Sequence, residues 1–183
     1  ELGIPQDSVV YSVVGKLVPT KRHVDVIDAL RRLHECQTPM VVLIIGSGRD
    51  EPRLREALAG VRRHAVRLLG FVPPRDLPRY YAATDVYLHP SSVDAHSLAI
   101  SEAIFMGCPV IASDRCGSFG PSDDVRPGQN GLVYACADGA ALAQRMRVLA
   151  ESVDARLAFG AASREIAVSS QALAHGGGLA ACL

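Results

Sequence analysis

Two carboxylates flank the start of a small, apolar segment near the middle of the chain. Asp94 lies eight residues before Glu102, and the run MGCPVIAS follows shortly afterwards. The residues between them fit the first turns of a helix that leads into a buried strand. Such a pair could clamp the hydroxyl groups of one ligand, or it could be a capping residue and a solvated residue. The two residues alone leave both interpretations open.

Basic residues cluster earlier, in the segment VGKLVPTKRH. Lys16 and Lys21 lie five positions apart, after Gly15 and before a predicted helix. Gly15 lets a ligand approach the backbone closely, and a helix start offers free N–H groups and the positive end of a dipole. The segment therefore favours a diphosphate pocket, and the alternative is two solvated lysines on a loop.

Apolar, β-branched runs alternate with helical patterns along the chain, which predicts a parallel sheet with right-handed crossovers. The predicted strands are residues 9–14, 41–45, 66–69, 86–89, 110–112 and 132–134. The predicted helices are residues 21–36, 52–60, 74–83, 98–106 and 140–152. The fold class is thus α/β, a Rossmann-like parallel β-sheet flanked by helices.

Residues 1–152 are interpreted as one Rossmann-like domain, and residues 153–183 as a C-terminal helical tail. Helical patterns cover 156–170 and 171–183 and are interrupted by three glycines at 176–178. The chain begins without an initiator Met or a signal-type segment, which suggests that it was cut from a longer protein.

Composition excludes several classes of function. The formal net charge is zero, with nineteen basic and nineteen acidic residues, which argues against general nucleic-acid binding. No apolar run approaches the roughly 20 residues of a membrane-spanning helix. The five cysteines form no CxxC pair and no Cys/His ligand spacing. They fit reduced cytosolic thiols, and no metal site is expected.

Ligands of open parallel sheets bind at the carboxyl ends of the strands, so the loops there are expected to carry the binding residues. Gly46 begins a GxGxxG-like turn, but Glu51 stands at the third glycine position, which disfavours a dinucleotide fingerprint. Phe71 and Val72 could hold a flat base or could simply pack. His89 ends a predicted strand and is interpreted as structural.

The helix start after Asp94 offers a further binding surface. Ser97 is a plausible N-cap residue, and the backbone amides of Leu98 and Ala99 are exposed where an anion could lie. Asp94 and Glu102 can then point toward the same crevice.

The ordered set GKLVPTK, IIGSG, LLGFV, DVYLHPSSVDAHSLAISEAIFMGCPVIAS and PGQNGLV resembles the C-terminal, donor-binding domain of retaining GT-B glycosyltransferases of group 1. The resemblance implies that Lys16 and Lys21 contact the donor diphosphate. It places Asp94 on the hydroxyls of the donor sugar and Glu102 on the ribose.

The same resemblance places further residues around the donor. It implies that the amides of Leu98 and Ala99 meet the distal phosphate. Gly46, Phe71 and Val72 lie where family members hold the base. Three departures stand out: lysine for arginine at position 16, aspartate for glutamate at 94, and Ala95-His96-Ser97 for the family's Gly-Phe-Gly. His96 adds a polar ring beside the expected sugar site, and Ser97 crowds the backbone there.

The resemblance implies a function for the whole protein. A hexosyltransferase of this type moves a sugar from a nucleoside-diphosphate sugar to a glycan or lipid, with retention of anomeric configuration. It needs no metal or other cofactor. The expected partners are the nucleotide-sugar donor and an N-terminal acceptor-binding domain absent from this chain. The isolated piece is expected to be inactive.

The full-length enzyme is expected in the cytoplasm, with possible peripheral membrane association. Two other functions remain open: a nucleotide-sugar epimerase-like domain, and a degenerate, non-catalytic nucleotide-binding module. A dehydrogenase is disfavoured by the incomplete GxGxxG.

Overall fold

The structure is a computed structural model that describes residues 3–61 and 63–176, with side chains as far as residue 170. It contains a sheet of six parallel strands with helices on both faces. The strands are β1 (Val9–Val14), β2 (Met40–Ile45), β3 (Ala65–Gly70), β4 (Val86–His89), β5 (Val110–Ser113) and β6 (Gly131–Tyr134). The predicted strands agree with these bounds within one residue.

The strand order is β3-β2-β1-β4-β5-β6. The chain builds outward from β1 through β2 and β3, then crosses back to place β4 on the other side of β1. The crevice between β1 and β4 is therefore the point where the direction of winding changes, and parallel sheets bind ligands there. The β2 strand MVVLII is buried throughout, as a strand covered on both faces should be.

Within residues 3–61 and 63–176, six α-helices connect and flank the strands. They are α1 (His23–Arg32), α2 (Glu51–Leu58), α3 (Leu77–Ala82), α4 (Leu98–Phe105), α5 (Gly139–Glu151) and α6 (Val153–Gly176). The helix predicted at 21–36 is shorter, because Arg22 has a left-handed φ of 50° and a separate 3-10 turn covers Pro19–Lys21. The helix predicted at 74–83 is likewise divided into a 3-10 turn, Pro74–Asp76, and α3.

The final helix packs back onto this sheet domain. It begins at Val153 and runs to Gly176 without a break at 170, whereas two separate segments, 156–170 and 171–183, were predicted. Ile166 and Ala167 are buried in a core cluster with residues of α4. The predicted helical end at 177–183 lies outside the described residues. Across the described part of the chain, no helix is long and apolar enough to span a membrane.

Candidate functional site

The loops that follow β1 and β4 meet at the winding-change crevice. Lys21 ends the 3-10 turn after β1, and its Nζ lies 2.5 Å from Oδ2 of Asp94 in the loop after β4. The backbone also joins the loops, since the amide of Ser92 donates to the carbonyl of Thr20 at 2.8 Å. The fold therefore places the basic segment and the first carboxylate in one site.

Asp94 is held by two partners. The same Oδ2 atom lies 2.9 Å from Nε2 of His89, a buried side chain at the end of β4. Burial alone would raise the pKa of the Asp94 carboxyl, but Lys21 and His89 together hold that pKa below its usual range. Asp94 is thus a carboxylate at neutral pH.

Two buried histidines lie beside this carboxylate. Burial lowers the pKa of His89 to about 4, although Asp94 opposes the shift. Burial also lowers the pKa of His23, the first residue of α1, to about 4, and the nearby charge of Lys21 adds to the effect. Nε2 of His23 is buried and has no hydrogen-bond partner among the described residues. Both imidazoles are therefore neutral at physiological pH.

A pocket of about 370 Å³ opens beside the ion pair. It brings together eight of the residues predicted for the site, along with Val14. The eight are Gly15, Lys21, Asp94, His96, Ser97, Leu98, Ala99 and Glu102. A second cavity of about 730 Å³ adjoins it along the outer surface of α4 and shares His96 and Glu102.

The start of α4 forms one wall of the pocket. Ser97 occupies the N-cap position, as predicted, but among the described residues its side chain makes no capping hydrogen bond. Instead, the Ser97 amide donates to Oγ of Ser118 at 2.9 Å and fixes the entry of the chain into the helix. The amides of Leu98 and Ala99, in the first turn, have no carbonyl one turn earlier to bond.

Glu102 lies one turn further along α4. Its side chain is exposed on the pocket side and accepts a hydrogen bond from the hydroxyl of Tyr81 at 2.9 Å. Tyr81 belongs to α3 and is almost completely buried. The Glu102 carboxylate is therefore held by a buried hydroxyl on one side and remains accessible from the crevice on the other.

Four predicted site residues lie at the same edge of the sheet but do not line this pocket. Lys16 is exposed on the loop after β1. A methyl group on Gly46 would overlap the carbonyl of Gly15, so this glycine allows the loops after β1 and β2 to pack together. Phe71 is 72% exposed after β3, and Val72 is buried. Their roles toward a ligand stay predictions.

Sequence reasoning missed the contacts of His89 and Tyr81. His89 was interpreted as structural. Its contact with Asp94 could have been suspected, because His89 ends a strand and precedes the carboxylate by five residues. Tyr81 carries no comparable signal, because its contact with Glu102 depends on how α3 packs against α4. The expectation of a metal-free site stays a prediction.

The fold agrees with comparisons to known proteins. The profile of the family described as "Glycosyl transferases group 1" matches residues 1–166. The chain belongs to this family. The resemblance predicted from the ordered motifs is thereby confirmed.

Characterised relatives come from several bacteria. The chain is 31% identical over 171 residues to a GDP-mannose-dependent monoacylated alpha-(1-6)-phosphatidylinositol monomannoside mannosyltransferase of Corynebacterium glutamicum, covering 90% of this chain and 44% of the relative. It is 32% identical over 193 residues to a D-inositol 3-phosphate glycosyltransferase of Geodermatophilus obscurus, covering 95% of this chain and 41% of the relative. The chain thus spans less than half the length of these relatives.

Solved structures share the fold. The Anabaena protein HepE in complex with UDP-glucose superimposes with a TM-score of 0.75 at 23% identity, over 89% of this chain and 44% of HepE. The catalytic domain of the Helicobacter pylori cholesterol-alpha-glucosyltransferase gives a TM-score of 0.76 at 18% identity, over 88% of this chain and 98% of that domain. The six-stranded sheet is a GT-B domain.

Proposed function

We propose that this chain binds the nucleoside-diphosphate sugar donor of a retaining glycosyltransferase. The observation that carries the proposal is the convergence of Lys21, Asp94, Glu102 and the start of α4 on one pocket between β1 and β4. Family membership and relatives that use GDP-mannose support it. HepE, which binds UDP-glucose, shares the fold.

The diphosphate is assigned to the basic side of the pocket. Lys21 supplies a positive charge, and the amides of Leu98 and Ala99 supply oriented N–H donors at the positive end of the α4 dipole. Lys16, exposed on the same loop as Lys21, is assigned to the outer phosphate oxygens. Lysine provides charge without the planar fork of arginine, so its grip on phosphate is less directional.

The two carboxylates receive the hydroxyl-bearing ends of the donor. Ionised carboxylates accept hydrogen bonds only, which suits them to sugar hydroxyls. Asp94 takes the donor sugar, and Glu102 takes the ribose. With Oδ2 of Asp94 already bonded to Lys21 and His89, its Oδ1 is the oxygen with capacity for a sugar hydroxyl.

The chemistry follows from charge development. As the bond between the anomeric carbon and the phosphate oxygen breaks, negative charge grows on the diphosphate. Lys21 and the α4 amides are positioned to stabilise that charge. The acceptor hydroxyl attacks the same face of the sugar, and its proton passes to the departing phosphate, so no side chain of this domain has to serve as nucleophile or base. The proposed reaction needs no metal.

The acceptor is assigned to a second domain of the whole protein. The edge of the sheet that carries the pocket exposes three large apolar side chains, Phe71, Val93 and Leu98, each at least 70% accessible. Such a rim favours coverage by another protein surface. The whole protein, with both domains, is the proposed transferase, and this chain by itself is proposed to bind the donor without multiple turnover.

A thermal-shift panel with UDP-, GDP- and ADP-sugars tests donor binding, because a ligand that binds only the folded state raises the unfolding temperature. At least one compound should stabilise the wild-type chain, and Lys21→Met should abolish most of that shift. Arg32→Met is a matched control, because it breaks an exposed ion pair with Asp28 at the other end of α1. A wild type that responds to none of the sugars, or a Lys21→Met variant that responds fully, would overturn the proposal.

A further inference from the structure

A row of buried aromatic side chains lies directly beneath the two carboxylates. The ring centroids of Tyr81 and Tyr87 are 6.0 Å apart in a tilted arrangement. Those of Tyr87 and His89 are 6.3 Å apart and nearly stacked. The three side chains come from α3 and β4, and each is at most 3% exposed.

Each end of the row touches one carboxylate. At one end, His89 meets Oδ2 of Asp94 at 2.9 Å. At the other end, Tyr81 donates to Oε2 of Glu102 at 2.9 Å. Tyr87, in the middle, donates to the carbonyl of Val14 at 3.3 Å and so joins the row to the end of β1.

The donor and acceptor assignments follow from chemistry. A carboxylate accepts hydrogen bonds only, so the His89 nitrogen that faces Asp94 must carry the hydrogen. Burial keeps this imidazole neutral at physiological pH, and it raises the pKa of the Tyr81 hydroxyl, which therefore stays protonated. Both ends of the row are thus permanent donors to the carboxylates.

We propose that this row, Tyr81–Tyr87–His89, positions the carboxylates of Asp94 and Glu102 for their separate contacts with the donor. The inference rests on the proposed function and deepens it. His89 and Lys21 occupy Oδ2 of Asp94 and leave Oδ1 free to contact the sugar. Tyr81 holds Oε2 of Glu102 and leaves Oε1 free to contact the ribose. Because the three rings pack together, the spacing between the two contacts is fixed before a ligand arrives.

The two ends predict different binding defects. His89→Leu removes the donor to Asp94, so it should reduce roughly tenfold the preference for UDP-glucose over UDP, or for GDP-mannose over GDP. His89→Gln keeps an N–H donor at a similar reach and should restore most of that preference. Tyr81→Phe removes the hydroxyl that holds Glu102. It should therefore weaken the binding of both the nucleotide and the nucleotide sugar, but not the binding of a 2′,3′-dideoxy nucleotide, which lacks the ribose hydroxyls.

Isothermal titration of the wild type and these three variants with both ligand pairs measures these ratios. Thermal unfolding identifies the variants that remain folded. If His89→Leu unfolds the chain, Tyr81→Phe still tests the proposal. An equal loss in His89→Gln and His89→Leu, or a Tyr81→Phe defect that persists with the dideoxy ligand, would overturn the proposal.

Nitrogen NMR of the histidine rings provides a second measurement on the unaltered chain. We expect His89 to show a hydrogen on Nε2, and a hydrogen on Nδ1 alone would contradict the assignment. Absence of binding by the wild type contradicts the proposed function as well. Wild-type binding that all three variants retain contradicts only the positioning row.

Discussion

The ammonium group of Lys21 and Oδ2 of Asp94 lie 2.5 Å apart and join the loops after β1 and β4. The side chains are 28% and 13% exposed, so the pair is half-buried and less screened by salt than a surface pair. Under the proposed function, a bound diphosphate shares Lys21 with Asp94. The ion pair is then expected to couple the proposed phosphate side of the pocket to the proposed sugar side.

Replacing Asp94 by asparagine should separate these two roles. The neutral side chain keeps its size but releases Lys21 from a strong charge partner. We expect UDP or GDP to bind equally or more tightly, whereas the extra affinity contributed by the sugar should fall roughly tenfold. Isothermal titration with nucleotide and nucleotide sugar measures both. A parallel loss with both ligands would show that Asp94 supports the pocket without contacting the sugar.

The buried histidines predict a loss of stability in mild acid. His23 and His89 each have a pKa of about 4 in the folded protein, against 6.5 in an unfolded chain. The unfolded state therefore binds more protons in that window, and the free energy of unfolding falls as pH decreases from about 6.5 toward 4. Each histidine contributes up to about 1.4 kcal/mol per pH unit.

Urea unfolding at about pH 7 and about pH 5 tests this. The variants His23→Phe and His89→Phe should each flatten the dependence. His34→Phe is the control, since His34 is exposed just beyond the C-terminal end of α1. Equal stability of the wild type at both pH values would contradict neutral burial of these imidazoles.

Gly46 links the stability of the fold to the pocket. Its φ is +143°, and an added methyl group would overlap the carbonyl of Gly15, which lines the pocket. Gly46→Ala should destabilise the chain by about 1–3 kcal/mol and weaken nucleotide binding. Gly60→Ala is the matched control, because the three atoms nearest to its methyl group all belong to the flexible guanidinium of Arg31. Two variants of equal stability would refute the packing role of Gly46.

The attachment of α6 rests on a buried polar contact. Oγ of Ser163 donates to the carbonyl of Cys108 at 2.8 Å and receives a hydrogen bond from Asn130 at 3.3 Å. Ser163→Ala should reduce the free energy of unfolding by about 1–3 kcal/mol, since the buried Cys108 carbonyl loses this donor and one of the two N–H groups of the Asn130 side chain loses its acceptor. Ser169→Ala, at an exposed position on the same helix, should cost less. If the two substitutions have equal effects, the buried contact does not hold α6.

The sheet was predictable because strands buried on both faces are continuous runs of Val, Ile and Leu, as in MVVLII. The pocket was predictable in part, because the strand order brings together the loops after β1 and β4, and these loops carry Lys21 and Asp94. The contact that holds Glu102 was not predictable, because Tyr81 reaches Glu102 through the packing of α3 on α4. The bond from the Ser97 amide to Oγ of Ser118 was likewise not predictable, because Ser118 is distant in sequence.

The most direct test of the central claim is an NMR titration of the ¹⁵N-labelled chain with UDP-glucose and with GDP-mannose. The account predicts that one of them causes its largest amide shifts at Gly15, Leu98 and Ala99, around the 370 Å³ pocket. Shifts confined to the neighbouring 730 Å³ cavity, for example at Phe105 and Ala167, would contradict it. So would a spectrum that neither compound changes.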